Sequence, residues 1–192
     1  LKTVMTSSTK KKTKVNLDLP PNPFVFEVLD LVDKQRSKAK KIEVLQKYES
    51  LHIKTVLIWN FDDTVVSLLP AGEVPYGNLV EDGSSQGNLS QKISSRTKGD
   101  NISYNGTEED LKAQKSSIAN EYTKFYNFVQ GGNPSLNAIK RELMFINILE
   151  GLHPREAEIV ALIKDKRLGE RYKITKALVT DAYPDITWGG RS

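Results

Sequence analysis

The residues best suited to chemistry in this sequence are two clusters of basic side chains. The first cluster consists of Lys34, Arg36, Lys38, Lys40 and Lys41. The second cluster consists of Lys164, Lys166, Arg167, Lys173 and Lys176, with Arg171 between its halves. Ammonium and guanidinium groups bind phosphate oxygens through charge-assisted hydrogen bonds. Such clusters favour the binding of a polyanion over a catalytic reaction.

The first cluster coincides with a predicted helix start. Ser37 is a favoured N-cap residue. Lys38, Lys40 and Lys41 would then lie in the first turn of the helix, where the helix dipole disfavours cations. Their presence is explained if they face phosphate oxygens together with the free backbone N–H groups. In the alternative, these lysines point to water at a small energetic cost.

The second cluster begins at the predicted end of another helix. Lys164, Lys166 and Arg167 would lie in its last turn, where the dipole favours cations, so complementation of the dipole could account for them. Lys173 and Lys176 follow and add more charge than a helix end requires, which favours a second phosphate contact. The two clusters could then contact a duplex from two sides.

Residues for catalysis or metal binding are scarce. The chain has no cysteine, which excludes thiol nucleophiles and cysteine-bound metals, and its two histidines are His52 and His153. The acidic residues at positions 62–63 and 108–110 fit helix starts better than metal ligation. The sequence has neither a P-loop nor the glycine fingerprint of dinucleotide-binding proteins. We therefore predict no catalytic residue, no cofactor and no metal site, and we do not expect an enzyme.

The charge distribution points to an anionic partner as well. The 192 residues include 28 Lys and Arg against 24 Asp and Glu. Residues 1–60 hold 12 of the basic and 6 of the acidic residues, which leaves 16 against 18 in the rest of the chain. A clustered excess is typical of nucleic-acid-binding proteins, although a solvated basic tail gives the same pattern.

Nothing in the sequence predicts a membrane partner or export. No apolar run approaches the roughly 20 residues needed to span a bilayer. The N-terminal stretch LKTVMTSSTKKKTK lacks the apolar core of a secretory signal. We therefore expect a cytoplasmic location. Leu1 at the first position leaves Met5 as an alternative start.

Apolar spacing predicts an all-α protein, a single multi-helix domain of about seven helices interrupted by a long polar loop. Residues 1–21 are predicted to be a disordered basic tail, and residues 22–188 the helical domain, with 71–107 as a flexible polar insertion. The predicted helices begin at Asn22-Pro23, Ser37, Leu51, Asp62 or Asp63, Glu108, Asn133-Pro134, Pro154 and Thr175. In the sixth of these, Leu136, Ile139, Leu143 and Ile146 recur at 3–4–3 spacing before Gly151.

The order of these segments resembles the N-terminal DNA-binding domain of phage-type ATP-dependent DNA ligases. The resemblance is carried by FVFEVLDLVDKQRSKAKKIEVLQKYESLHIKTVLIWNFD at residues 24–62, by GGNPSLNAIKREL at residues 131–143, and by Lys164-Asp165, Gly169 and Tyr183-Pro184-Asp185. It covers about residues 22–188. It implies an all-helical fold that cradles nicked duplex DNA, chiefly through the backbone and the minor groove.

The chain departs from the ligase pattern in several places. Lys164 stands where that family has arginine, Tyr183 stands for a tryptophan, and the insertion at 71–107 is unexpected. The Lys-x-Asp-Gly motif of nucleotidyl transfer is absent, so the resemblance implies DNA binding without ligation chemistry. The Asn-Pro-Phe start at 22–24 and the lysine-rich ending also resemble small uncharacterised tailed-phage proteins. That resemblance implies a phage origin and the cytoplasm of a host cell.

We therefore expect a non-catalytic, phage-encoded module that binds nucleic acid, with duplex DNA favoured and the two basic clusters as its contacts. The alternative is a protein adaptor that docks a replication or transcription partner. A ligase-related enzyme fragment is the least favoured hypothesis. The sequence leaves the choice between DNA and RNA and the oligomeric state open.

Overall fold

The computed structural model describes residues 18–74, 112 and 115–192. Most of the predicted basic tail (1–17) and most of the predicted polar insertion (75–107) lie outside the described residues. Within the described ranges the chain forms seven α-helices. They are α1 (Val25–Lys34), α2 (Lys38–Lys47), α3 (Leu51–Phe61), α4 (Ile118–Glu121), α5 (Ala138–Gly151), α6 (Pro154–Lys164) and α7 (Lys176–Ala182). The described residues contain no β-strand, so the prediction of an all-α domain is confirmed.

Polar side chains cap the start of four helices. The caps are Ser37, Ser50, Asn137 and Thr175, each of which accepts a hydrogen bond from a backbone N–H three residues further on. For Ser37, the N–H of Lys40 lies 3.2 Å from the side-chain oxygen. Such caps satisfy donors that have no partner within the helix. The helix starts predicted near Ser37, Leu51, Pro154 and Thr175 are thereby confirmed.

The first helix begins later than predicted. Asn22 adopts a left-handed turn with φ 51°, and α1 starts at Val25 rather than at Pro23. The carboxylate of Glu156 in α6 accepts hydrogen bonds from the backbone N–H groups of Val25 and Phe26, both at 3.0 Å. A residue 130 positions away in sequence therefore supplies the acceptor for the start of α1. Local sequence could not indicate it.

No helix forms at 62–70, contrary to the prediction. Asp62 is instead the C-cap of α3. The residues after it run beside the segment at 128–130. The N–H of Leu68 donates to the carbonyl of Phe128, and the N–H of Gln130 donates to the carbonyl of Val66, both at 2.8 Å. These tertiary hydrogen bonds take the place of intrahelical ones.

Two 3₁₀ helices, Tyr122–Phe128 and Leu168–Glu170, complete the described helical segments. The first continues α4, so the described part of the helix predicted to begin at Glu108 is only partly α-helical. It leads into a turn at Gly131, where φ is 84°. A Cβ added to the next residue, Gly132, would lie 1.8 Å from the carbonyl oxygen of Tyr126. The turn therefore requires glycine at this position.

Helix α5 buries a different face from the one marked by its 3–4–3 apolar spacing. Ile139 and Leu143 on that face are 73% and 55% exposed. The buried residues of α5 are Arg141, Phe145, Ile148 and Leu149. The guanidinium of Arg141 tolerates burial because it donates to the carbonyls of Asn127 at 2.9 Å and Leu136 at 2.7 Å. Neighbouring segments thus decide which face of α5 is covered.

The core lies among the helices that precede and follow the undescribed insertion. Helix α2 packs against α1 and α7, while α3 and α5 pack against α6. Tyr172 and Tyr183 are two of the largest fully buried side chains. The hydroxyl of Tyr183 donates to the carbonyl of Leu45 in α2 at 2.5 Å. These contacts hold the segment at 172–183 against the first two helices.

Candidate nucleic-acid interface

Basic side chains surround the turn between α1 and α2. Lys34 ends α1, Arg36 lies in the turn, and both are exposed. Lys38 and Lys40 lie in the first turn of α2, as the sequence predicts, and both are exposed. The turn therefore presents several cations to solvent next to a helix N-terminus.

Two of these lysines have acidic partners. Lys38 forms an ion pair with Asp181 of α7, and Lys40 pairs with Glu43, with 3.2 Å between Nζ and Oε2. About half of each of these four side chains is exposed. Exposed ion pairs contribute little to stability, since water screens them and ordering both side chains opposes them. A phosphate group can therefore replace either carboxylate at a small cost.

The second basic cluster reaches the same place through the loop before α7. The ammonium of Lys41 donates to the carbonyl of Lys173 at 2.6 Å, across 132 residues of sequence. The backbone N–H of Lys173 donates to Oδ1 of Asp33 at 2.7 Å, across 140 residues. Lys173 is itself exposed, and Lys176 begins α7 three residues later. The structure thus joins part of the second cluster to the first.

Lys176 lies over an aromatic ring. Its Nζ is 5.1 Å from the centroid of the Trp188 ring, and the indole N–H of Trp188 donates to the Thr180 hydroxyl at 3.1 Å. A cation–π contact of this kind favours an ammonium close to the ring. The outer side of α7 thus adds a lysine and a partly exposed tryptophan.

Seven basic residues gather in this region, and we call them the basic face. They are Lys34, Arg36, Lys38, Lys40, Lys41, Lys173 and Lys176. The acidic residues that contact them in the described part of the chain are Asp33, Glu43 and Asp181. Seven positive charges less three negative charges leave a net charge of +4 on the basic face, whereas all described residues together hold 20 Lys and Arg against 18 Asp and Glu, a net charge of +2. Positive charge is therefore concentrated on one side, and such a surface attracts polyanions.

Lys164 lies outside the basic face because the fold uses it internally. It is 3% exposed. Its Nζ donates to the carbonyls of Pro70 and Gly72, both at 2.8 Å, and to Oδ1 of Asp165 at 2.7 Å. All three ammonium hydrogens therefore have acceptors. The predicted phosphate contact by Lys164 does not fit this burial.

Lys166 is also engaged within the fold. Its backbone is left-handed, with φ 58°. Its Nζ donates to the carbonyls of Trp59 at 2.6 Å and Asp62 at 2.8 Å, at the C-terminal end of α3. Burial lowers the pKa of Lys166. The side chain satisfies carbonyls that have no partner within α3, and it is not part of the basic face.

The two arginines of the second cluster pair with nearby acids. Arg167 is exposed and lies 2.7 Å from Oε2 of Glu170. It lines a cleft with Lys164 and Gly72 rather than with the basic face. Arg171 lies 3.1 Å from Oε1 of Glu158. The remaining members of the second cluster therefore lie apart from the basic face: Lys164 and Lys166 bind carbonyls inside the fold, and Arg167 and Arg171 are exposed but paired with acids.

The histidines considered for catalysis have structural surroundings. His153 is fully buried at the N-cap of α6, where Nδ1 accepts a hydrogen bond from the N–H of Arg155 at 3.1 Å. Its ring stacks on Phe26, with the centroids 4.7 Å apart. His52 is half-buried, and burial lowers its pKa. His153 therefore packs against the start of α1, while the ring of His52 lies 6.0 Å from that of Tyr122.

Asp62 connects α3 to the C-terminal segment. Oδ1 accepts hydrogen bonds from the backbone and hydroxyl of Thr64, while Oδ2 accepts from the N–H of Gly189 at 2.9 Å and from Arg191 at 2.6 Å. Burial alone would raise the pKa of Asp62, but these donors hold it well below its usual range. In ranges 18–74, 112 and 115–192, no three His, Cys, Asp or Glu side chains come together as a metal site requires.

A comparison with known protein families shows to which family the chain belongs. Residues 28–95 and 85–170 match the model of a family described as a family of unknown function (DUF6433). The chain belongs to this family. The DUF6433 match begins within α1, at residue 28, and extends through α6, and it ends before Lys173 and Lys176. No curated protein and no solved structure matches the chain.

Two acidic residues that hold the basic face together could not be identified from the sequence. In this DUF6433 member, Asp33 holds the backbone of Lys173, and Asp181 pairs with Lys38. Each acid is 140 or more residues from its partner, so no local spacing in the sequence indicates the pairing.

No helix among the described residues combines the length and apolar character of a bilayer span.

Proposed function

We propose that the protein is a non-catalytic nucleic-acid-binding module whose basic face contacts the sugar–phosphate backbone of duplex DNA. The observation that carries the proposal is the meeting of the two basic clusters, with Lys41 Nζ 2.6 Å from the carbonyl of Lys173. Separate in sequence, the clusters would each supply a few charges. Together they supply a continuous surface for several neighbouring phosphates.

The chemistry of the basic face suits phosphate better than carboxylate ligands. Phosphates of a duplex recur along each strand, so a surface with cations at several positions can neutralise several of them at once. The acidic partners Glu43 and Asp181 hold Lys40 and Lys38 in place without burying them. Phosphate contacts of this kind position a protein without reading base sequence. We therefore expect binding that depends strongly on salt and weakly on DNA sequence.

The resemblance to ligase DNA-binding domains supplies two further expectations. A nicked duplex should bind at least as well as an intact one, and the module should act without nucleotidyl transfer of its own. A phage origin would place the protein in the host-cell cytoplasm, together with the DNA that it binds.

A salt titration with two matched variants tests the proposal. Lys38→Gln/Lys40→Gln removes two exposed lysines of the basic face, each paired with an acid. The control Lys47→Gln/Lys124→Gln removes two exposed lysines elsewhere, which pair with Asp18 and Glu121 in the same way. Affinities for nicked duplex, intact duplex and single strands would be measured by fluorescence anisotropy at several salt concentrations.

The first variant should bind all duplex sequences more weakly, and the slope of log K against log salt should become shallower by up to about 2, because each lost phosphate contact changes it by about 0.9. The control variant should bind DNA with an affinity and a salt slope much closer to those of the wild type than the first variant does. Equal losses in both variants would reduce the effect to net charge and contradict the assignment of the basic face.

The adaptor alternative has one observation in its favour. Helix α5 leaves Ile139 and Leu143 exposed on the stripe that its spacing marks as apolar. Exposed apolar surface of this kind is typical of protein–protein contacts. An adaptor would keep its partner in the absence of nucleic acid, and it would fail to bind any nucleic acid at low salt.

A further inference from the structure

The indole ring of Trp188 is held beside the basic face without being buried. Its N–H donates to the Thr180 hydroxyl at 3.1 Å, and that hydroxyl donates to the carbonyl of Lys176 at 2.8 Å. The two hydrogen bonds fix the polar edge of the ring to α7, while the ring stays partly exposed. The other tryptophan, Trp59, is 3% exposed and packs edge-on against Phe125. Trp188 is therefore an oriented aromatic ring at the protein surface.

The ammonium of Lys176 covers one face of this ring. Its Nζ lies 5.1 Å from the ring centroid, and the residue is exposed. Within the described ranges, this ammonium forms neither an ion pair nor a hydrogen bond. A cation–π contact at an exposed site is weak. A phosphate that approaches the start of α7 can therefore draw the ammonium away and leave the face of the ring open.

We propose that Trp188 stacks on an unpaired base of the nucleic acid that the basic face binds, so that the ligand is duplex DNA with a single-stranded extension. The inference rests on the proposed function, because phosphate contacts must bring the base to the ring. Aromatic side chains stack on bases of any sequence, since every base has a π-face. Lys176 then moves from the ring to a phosphate beside the stacked base.

The place of Trp188 next to the basic face suits this ligand. Lys176 begins α7, and the carbonyl of Lys173, three residues earlier, accepts from Lys41. A strand whose phosphates contact Lys41 and Lys173 therefore continues past the start of α7 to the ring. Bases within a duplex are stacked between their neighbours and offer no free face, so the ring requires an unpaired base.

Three DNA probes that share one duplex test the proposal. The first is blunt, the second carries a single-stranded extension of thymidines, and the third carries an extension of abasic nucleotides. The extensions have equal numbers of phosphates, so the difference between them reports the bases alone. The wild type should bind the thymidine probe at least about fivefold more tightly than the abasic probe, measured by fluorescence anisotropy. The thymidine probe should also quench tryptophan emission, and the abasic probe should not.

Two variants assign the effect to Trp188. Trp188→Leu keeps an apolar side chain without the ring, so it should lose the preference for thymidine and keep the affinity of the wild type for the blunt duplex. Trp188→Phe keeps a ring that can stack, so the preference should persist. Its remaining emission comes from the buried Trp59 and should not respond to DNA. Circular dichroism would check that both variants are folded.

The outcomes separate this inference from the proposed function. Equal affinity of the wild type for the thymidine and abasic probes, with unchanged emission, would overturn stacking by Trp188 and leave duplex binding by the basic face in place. A preference for thymidine that survives in Trp188→Leu would also contradict the role of this ring. Failure of the wild type to bind any of the three probes at low salt would overturn the proposed function and the stacking together.

Discussion

Glu156 accepts a hydrogen bond at 3.0 Å from the backbone N–H of Val25, which lies 131 residues earlier in the chain. Its other oxygen accepts from Phe26 at 3.0 Å, and the N–H of Ile118 lies 3.4 Å from the first oxygen. The residue is fully buried. One carboxylate thus joins the N-terminal ends of α1 and α4 to the first turn of α6, where the positive ends of helix dipoles favour it.

The stability of the protein should therefore depend on the protonation of Glu156. Burial raises its pKa to about 7, above the value of about 4.3 for an unfolded chain. Between these values the folded state binds more protons than the unfolded state, so the stabilising contribution is present at low pH and is lost as pH rises through 7. We expect the free energy of unfolding, measured with urea, to increase as pH falls from 8 towards 5.

Glu156→Gln is the control for this pH dependence. Glutamine does not titrate, so the variant should lose this part of the pH profile. It should also be less stable by about 1–3 kcal/mol, because its amide group faces backbone donors. Burial lowers the pKa of His52, so its contribution to the free energy of unfolding rises with pH in the wild type and in the variant alike. The difference between the two pH profiles therefore reports Glu156 alone. Parallel pH profiles would show that Glu156 does not titrate in this range.

Asp62 should hold the C-terminal segment in place. Asp62→Asn removes the charge that accepts from Gly189 and Arg191, and we expect a loss of about 2 kcal/mol in unfolding free energy. Limited proteolysis should cut the segment at 187–192 sooner in this variant. Asp63→Asn, at the exposed neighbouring position, should behave as the wild type. Equal protection in both variants would argue against the contact.

Substitutions of Lys164 and Lys173 should have separate effects, the first on stability and the second on DNA binding. Lys164→Met leaves the carbonyls of Pro70 and Gly72 without their buried donor, so it should lower thermal stability and leave DNA affinity nearly unchanged. Lys173→Gln, which alters an exposed side chain, should weaken DNA binding with little change in the melting temperature. Calorimetry and anisotropy on both variants make the comparison, and the reverse pattern would place Lys164 at the interface.

Lys41 should contribute more to DNA affinity than its single charge accounts for. Its ammonium holds the carbonyl of Lys173, so Lys41→Gln removes both a charge and the contact between the two clusters. Lys34→Gln, at an exposed position, removes a charge alone. We expect the larger loss of DNA affinity in Lys41→Gln, together with faster amide exchange at 171–175. Similar exchange in the two variants would mean that other contacts, such as Asp33, suffice to hold this loop.

Sequence reasoning located most of the helices but not all their limits. The caps at Ser37 and Thr175 and the proline at 154 act within one turn, so their effect can be inferred from neighbouring residues. The start of α1 and the loss of a helix at 62–70 depend on partners far away in sequence. Spacing also could not show that α5 leaves Ile139 exposed, because the helix has apolar residues on two faces.

The sequence by itself determined that the chain forms helices and where two groups of cations lie along it, since periodicity, capping and charge are local properties. Only the tertiary structure decided how those cations are used. The ammoniums of Lys164 and Lys166 satisfy carbonyls inside the fold, while Lys173 is carried to α1 and α2. The reason is that a lysine's surroundings depend on which distant carbonyls and carboxylates folding brings within hydrogen-bonding distance.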